Sequence, residues 1–204
     1  QAGVHYATFL MSDGDNVQWL MGNFCGGAEA KYYWNNPARG HFAFGWTLCY
    51  VDLAQLCPYT LVKLMKEATP NDDFVLYGGG YYYPDYFGEK RSTKVLADHA
   101  AVLRQYMALG GLKTLAYNAQ DWDGEKAIHA YTEMVQGIPE LAGLLTVQYY
   151  PYSGGEGHIL WVKRGEVEVP VISARLCIWA NTGRPRDTTP AGVARWLNGI
   201  ATGG

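Results

Sequence analysis

The sequence predicts an α/β fold, a distorted or incomplete TIM-like (βα) barrel with parallel strands and a late β-hairpin. Three observations predict it. Apolar runs of strand length recur along the chain; several open into loops rich in Asp, Gly, Tyr or Trp and then into helical patterns; and two β-rich runs flank Arg164-Gly165. Parallel strands joined by helices gather such loops at one mouth. Fewer than eight strand–helix units are present, and an open doubly wound sheet, which also collects its loops at the carboxyl edge, is the alternative. The 204 residues, 49% apolar, suit a single domain with one sizeable core.

Residues 4–11 form an apolar run with Tyr, Thr and Phe and read as the first strand; 16–24 then place Val17, Leu20 and Met21 at helical spacing. Between them, Ser12-Asp13-Gly14-Asp15-Asn16 sets two carboxylates at a strand exit and against a helix N-terminus, where backbone amides stabilise negative charge. Asp15 or Asn16 suits the N-cap. Asp13, one step nearer the strand, does not, and is the better candidate for chemistry. Residues 26–39 mix Gly, Asn, Pro and aromatics without period, an excursion that walls a cleft with Tyr32, Tyr33 and Trp34. The second strand is 42–48, with Trp46 near its exit, equally suited to stacking on a sugar or filling the mouth. A helix over 58–68 carries Leu61, Leu64, Met65 and Ala68 on one face.

A buried strand at 74–76 opens into Tyr77-Gly78-Gly79-Gly80-Tyr81-Tyr82-Tyr83-Pro84. Three glycines remove every β-carbon where the backbone turns, so Gly80 allows positive φ and close approach of a ligand. Tyr81 and Tyr83 offer flat faces with a hydroxyl at the rim, fit for a sugar ring, although tyrosine also packs in cores. A helix over 93–109 closes on Gly110-Gly111. The fourth strand, 113–117, exits into Asn118-Ala119-Gln120-Asp121-Trp122-Asp123-Gly124 ahead of a helix over 125–136. Asp123 reads as that helix's N-cap, which leaves Asp121 and Asn118 for function. A fifth strand, 143–148, exits into Tyr149-Tyr150-Pro151-Tyr152. A hairpin of 158–163 and 166–169, a last strand at 171–179 and a short helix from about residue 190 complete the chain.

Net charge of −3 with dispersed signs gives no basic stripe for nucleic acid or anionic membranes, and no run is long and apolar enough to span a bilayer. The 14% aromatic content favours a cleft for something flat and polar. Cys25, Cys49, Cys57 and Cys177 form no CxxC pair; Cys49 and Cys57 are close enough in sequence for a disulfide, and all four can equally be free. The five histidines show no ligand spacing, which argues against a zinc-type site; Asp13-Gly14-Asp15 could offer oxygen ligands to Ca²⁺ but Val17 breaks the EF-hand pattern, and no cofactor is expected.

Gly78, Gly80, Tyr81, Tyr83 and Pro84 spell the motif of the GxGYxYP family of glycoside hydrolases, and the chain resembles that family's C-terminal, barrel-like domain. Residues 9–16 and 45–48 extend the likeness over most of the chain. The resemblance implies carbohydrate chemistry, an extracellular or periplasmic setting and a flanking domain of the same protein.

Three functions are compatible with these residues. The first is a glycoside hydrolase whose carboxylate pair is Asp13 and Asp121, with Asp15 in reserve and Trp46, Gly80, Tyr81, Tyr83, Asn118, Trp122 and Tyr149 lining the substrate site. The second is a metal-dependent sugar deacetylase, which the histidine spacing disfavours. The third is a non-catalytic carbohydrate-binding domain, which needs the tyrosines and not the acids.

Overall fold

A computed structural model describes residues 4–148, 155–175 and 189–201. Its strands are β1 (Leu10–Met11), β2 (Phe44–Leu48), β3 (Asp72–Tyr77), β4 (Thr114–Ala119), β5 (Gly143–Gln148), β6 (Ile159–Arg164) and β7 (Val167–Ser173). They form one sheet in the order β1-β2-β3-β4-β5-β7-β6, parallel except for β6, which pairs antiparallel with β7 at the edge. The sheet curls into a half-barrel of the distorted TIM-like kind. Helices α1 (Val17–Trp19), α2 (Tyr50–Leu56), α3 (Pro58–Glu67), α4 (Pro84–Lys90), α5 (Thr93–Gly110), α6 (Glu125–Gly137) and α7 (Pro190–Ala201) accompany it. Among the described residues no helix is long and apolar enough to cross a membrane.

Strand alternation divides the sheet into two faces. Trp46, Leu48, Phe74, Leu76, Leu115, Tyr117 and Leu144 belong to the main core, beneath the helices. Val75, Tyr77 and Ala116 cluster on the opposite face with Leu10 and Leu145. Because β1 to β5 are parallel, their carboxyl ends share one rim, and the loops after them are neighbours.

The structure departs from the sequence expectations at definite places. The first strand shrinks to two residues because β1 is the edge of the sheet; of the run before it, 4–8 is exposed and only the Phe9 carbonyl is held, by Gly45 N–H at 2.9 Å. Two helices appear that periodicity did not signal, α2 and α4, each of only 7 residues. Pro84 starts α4 from within the tyrosine motif, at a position where a missing N–H costs nothing. Pro170 does not end a strand: it pairs with Trp161, one residue before the pairing with β5 begins at Val171. Asn16 caps α1 as expected, its Oδ1 accepting from Trp19 N–H at 2.9 Å. Asp123 is not the cap of α6; Gly124 holds that position, with Glu125 in the first turn. Cys25, Cys49 and Cys57 are free. Cys49 and Cys57 flank α2 at either end, and a rise of about 1.5 Å per residue separates them by roughly 12 Å, beyond disulfide reach.

Candidate active site at the carboxyl ends of the strands

The loop after β1 is locked to β2 through Gly14. Its N–H donates to Thr47 Oγ1 (2.9 Å), that hydroxyl donates to the Met11 carbonyl (2.7 Å), and Cys49 N–H donates to the Gly14 carbonyl (2.6 Å). A β-carbon on residue 14 would overlap the Thr47 carbonyl, so only glycine allows the two backbones this contact. Asp13 and Asp15 flank the lock and thereby stand at the rim. Loss of water raises both carboxyl groups above the usual range. For Asp15 burial is the main cause, its own backbone amide opposes it and the Asp13 charge adds to it, bringing the group to about 6.

The glycine-tyrosine turn after β3 supplies the second wall. Gly80 has φ of 117° and a β-carbon there would stand 3.1 Å from Asp52 Oδ2, which places the Asp52 carboxylate against the motif's backbone. Tyr81 is 53% exposed and its hydroxyl lies 2.7 Å from that of Tyr83, the rings meeting edge to face at 5.6 Å. Tyr82 points inward: its hydroxyl meets His99 Nε2 at 2.7 Å, and burial holds that imidazole below its ordinary pKa. Tyr77 lies beneath the rim, 1% exposed, and accepts from the Asn118 N–H at 3.2 Å. Burial raises its phenol first, and the charge of Asp15 adds to that, so the two groups face one environment.

Asp52 and Tyr77 were not singled out in the sequence. Asp52 gives the same signal as Asp13, an acid just beyond a strand, but α2 was not recognised there. Burial pushes the Cys49 thiol up to about 12, and the charges of Asp52 and Asp15 both contribute, so both carboxylates lie within electrostatic range of the same sulfur. Burial likewise raises Asp52. Among the described residues, no other residue pairs with or hydrogen-bonds the carboxylates of Asp13, Asp15 and Asp52; Asp15 has only its own backbone amide. Carboxylates that serve the fold are engaged: Asp72 takes Arg39, Trp46 and Thr69, and buried Asp85 takes the N–H groups of Gln120 and Asp121 at 2.9 Å each.

The other expected site residues are dispersed. Asp121 is exposed at the exit of β4, three strands from β1, roughly 14 Å along the arc at about 4.8 Å per strand. Asn118 stands beside Tyr77 at the mouth. Trp46 does not open on the mouth: alternation turns it to the helix-covered face, where it is 8% exposed and donates to Asp72 Oδ1 at 2.7 Å. Trp34 is likewise buried, capped by the Arg39 guanidinium at 4.1 Å, so only Tyr32 and Tyr33 of that trio reach the surface. Trp122 is 4% exposed and packs under Gly155, which removes it from any open wall. Tyr149 lies outside the described residues, as do Tyr150, Tyr152 and Cys177.

Parallel strands curled into a half-barrel, with carboxylates and tyrosines at their carboxyl ends, define a TIM-like α/β domain whose candidate site is its mouth. The chain belongs to the family described as "GxGYxYP putative glycoside hydrolase C-terminal domain", whose model matches residues 3–198. A crystal structure of a "putative hydrolase" from Bacteroides thetaiotaomicron is similar at 26% identity and a TM-score of 0.76, over 96% of this chain. The chain spans 35% of that structure's length. A 4-alpha-glucanotransferase from Thermococcus litoralis aligns with 81% of this chain and 27% of its own, at 13% identity and a TM-score of 0.48. No curated protein sequence matches the chain.

Proposed function

We propose that this domain hydrolyses a glycan with paired carboxylates at the barrel mouth, the sugar stacking on the Tyr81 and Tyr83 rim. The observation that carries the reading is a set of partly desolvated carboxylates, engaged by no other described residue, near an exposed aromatic edge. Acids with raised pKa that no ion pair explains are candidates for chemistry. Asp15 is the general acid, since a group near 6 keeps its proton in mildly acidic solution and can give it to the leaving oxygen. Asp13, on the other side of Gly14, acts in its ionised form as nucleophile or activates water. Asp121 is the alternative partner from across the mouth. The family's description and the hydrolase relative support the reaction class.

The test is a panel of plant and host glycans, with and without chelator, against wild type, Asp13→Asn and Asp15→Asn. Metal-independent product release that is lost in both variants, and that declines as pH rises through about 6, supports the assignment. Full activity in Asp13→Asn removes that residue from the chemistry. Chelator-sensitive deacetylation, or binding without turnover, replaces the hydrolase reading altogether.

A further inference from the structure

Asp52 is a carboxylate of the mouth to which the roles above assign nothing. It stands in the first turn of α2, directly beyond β2, and β2 adjoins β1 in the sheet. Its Oδ2 lies against Gly80, whose φ of 117° turns the chain toward Tyr81. No donor among the described residues uses it, whereas Asp72, Asp85 and Glu67, which hold the fold together, each accept at least two hydrogen bonds. An ionised carboxylate only accepts hydrogen bonds, and its two oxygens match two neighbouring hydroxyl donors. Together with an ionised Asp13 on the loop after the adjoining strand, Asp52 makes the mouth repel an incoming anion.

We infer that Asp52 is a substrate-binding residue that takes adjacent hydroxyls of the sugar held at Tyr81 and Tyr83, and that it selects neutral glycans over uronate-bearing or sulfated ones. The inference rests on the glycan reading of this mouth. Gly80 then has a second role besides its backbone angle: it leaves the Asp52 carboxylate its place, and a methyl group there would displace it.

The experiment compares a neutral oligosaccharide with its uronate counterpart, by kcat and KM and by Kd, in wild type, Asp52→Asn and Asp15→Asn, with circular dichroism as the check of fold. Wild type should prefer the neutral sugar. Asp52→Asn keeps the shape, so it should fold, raise KM or Kd for the neutral sugar roughly tenfold, lower kcat by less than KM rises, and reduce the preference for neutral sugar by a similar factor. An unchanged neutral-to-uronate ratio in Asp52→Asn overturns the inference, as does a collapse of kcat at constant KM, which would make Asp52 catalytic. Turnover that survives in Asp15→Asn defeats the acid assignment instead, and leaves the ratio as an independent measure of Asp52. If the chain binds without turnover, the Kd ratio alone decides.

Discussion

Replacing Asp15 with Asn should leave the protein inactive yet more stable at neutral pH. Burial, with a contribution from Asp13, raises the Asp15 carboxyl from 3.8 to about 6. Between about pH 4 and 6 the folded chain therefore retains a proton that the unfolded chain has released, so stability falls as pH rises through that window. By pH 7 the full penalty is in place. At about 1.36 kcal/mol per unit of pKa the ceiling is roughly 3 kcal/mol. Partial access to water and coupling to Asp13 reduce this to about 1–2 kcal/mol. Asparagine keeps the shape and carries no charge, so it relieves that penalty. For a chain of this size, about 2–4 °C per kcal/mol predicts a rise in melting temperature of roughly 2–8 °C at pH 7, shrinking to nothing near pH 4. Calorimetric melts of wild type and variant from pH 4 to 8 provide the assay. A variant that melts below wild type at pH 7, or a wild type whose melting temperature does not fall between pH 4 and 6, refutes the desolvated acid on which the mechanism depends.

Gly14→Ala should prevent native folding or cost roughly 3 kcal/mol or more, because its methyl group meets the Thr47 backbone rather than a side chain that can move; the fraction of soluble, cooperatively melting protein measures it. Trp122→Ala should destabilise by roughly 3–5 kcal/mol, since a buried indole leaves a cavity. Tyr81→Ala should do the reverse, weakening glycan binding by on the order of 1 kcal/mol while the melting temperature stays within about 2 °C. Burial opposes ionisation of Asp72, but the Thr69 N–H, the Trp46 indole, the Thr69 hydroxyl and Arg39 together hold its carboxyl below the usual range. Its stabilising effect is complete above the unfolded value of about 3.9 and is lost as pH falls below it. Asp72→Asn should therefore melt well below wild type at pH 7 and converge with it in strong acid.

The acids at the mouth were legible to different degrees. Asp13 announced itself because it follows an apolar run and is not needed as a cap, and the structure indeed gives the cap to Asn16. Asp52 sent the same signal from beyond β2, but α2 is only 7 residues long, too short to show a period. The need for glycine at 80 was readable from the run of three, and its φ of 117° agrees. The need at Gly14 was not, since nothing local reveals that residue 47 of the next strand lies on top of it.

By itself the sequence determined the repeated strand, loop and helix units, the parallel sheet they imply, and the acid and tyrosine content of the loops. These are local properties, set by periodicity and turn chemistry within a few residues. Only the tertiary structure decided which aromatic rings face the mouth. Trp46 and Trp122 have the same sequence credentials as Tyr81, yet the pleat turns one under the helices and a glycine of a distant loop covers the other. Tertiary structure likewise decided which acids remain without partners. Asp72 and Asp52 both stand close to strand ends, but only Asp72 is met by an arginine 33 residues away, and that meeting depends on how the chain packs rather than on any pattern along it.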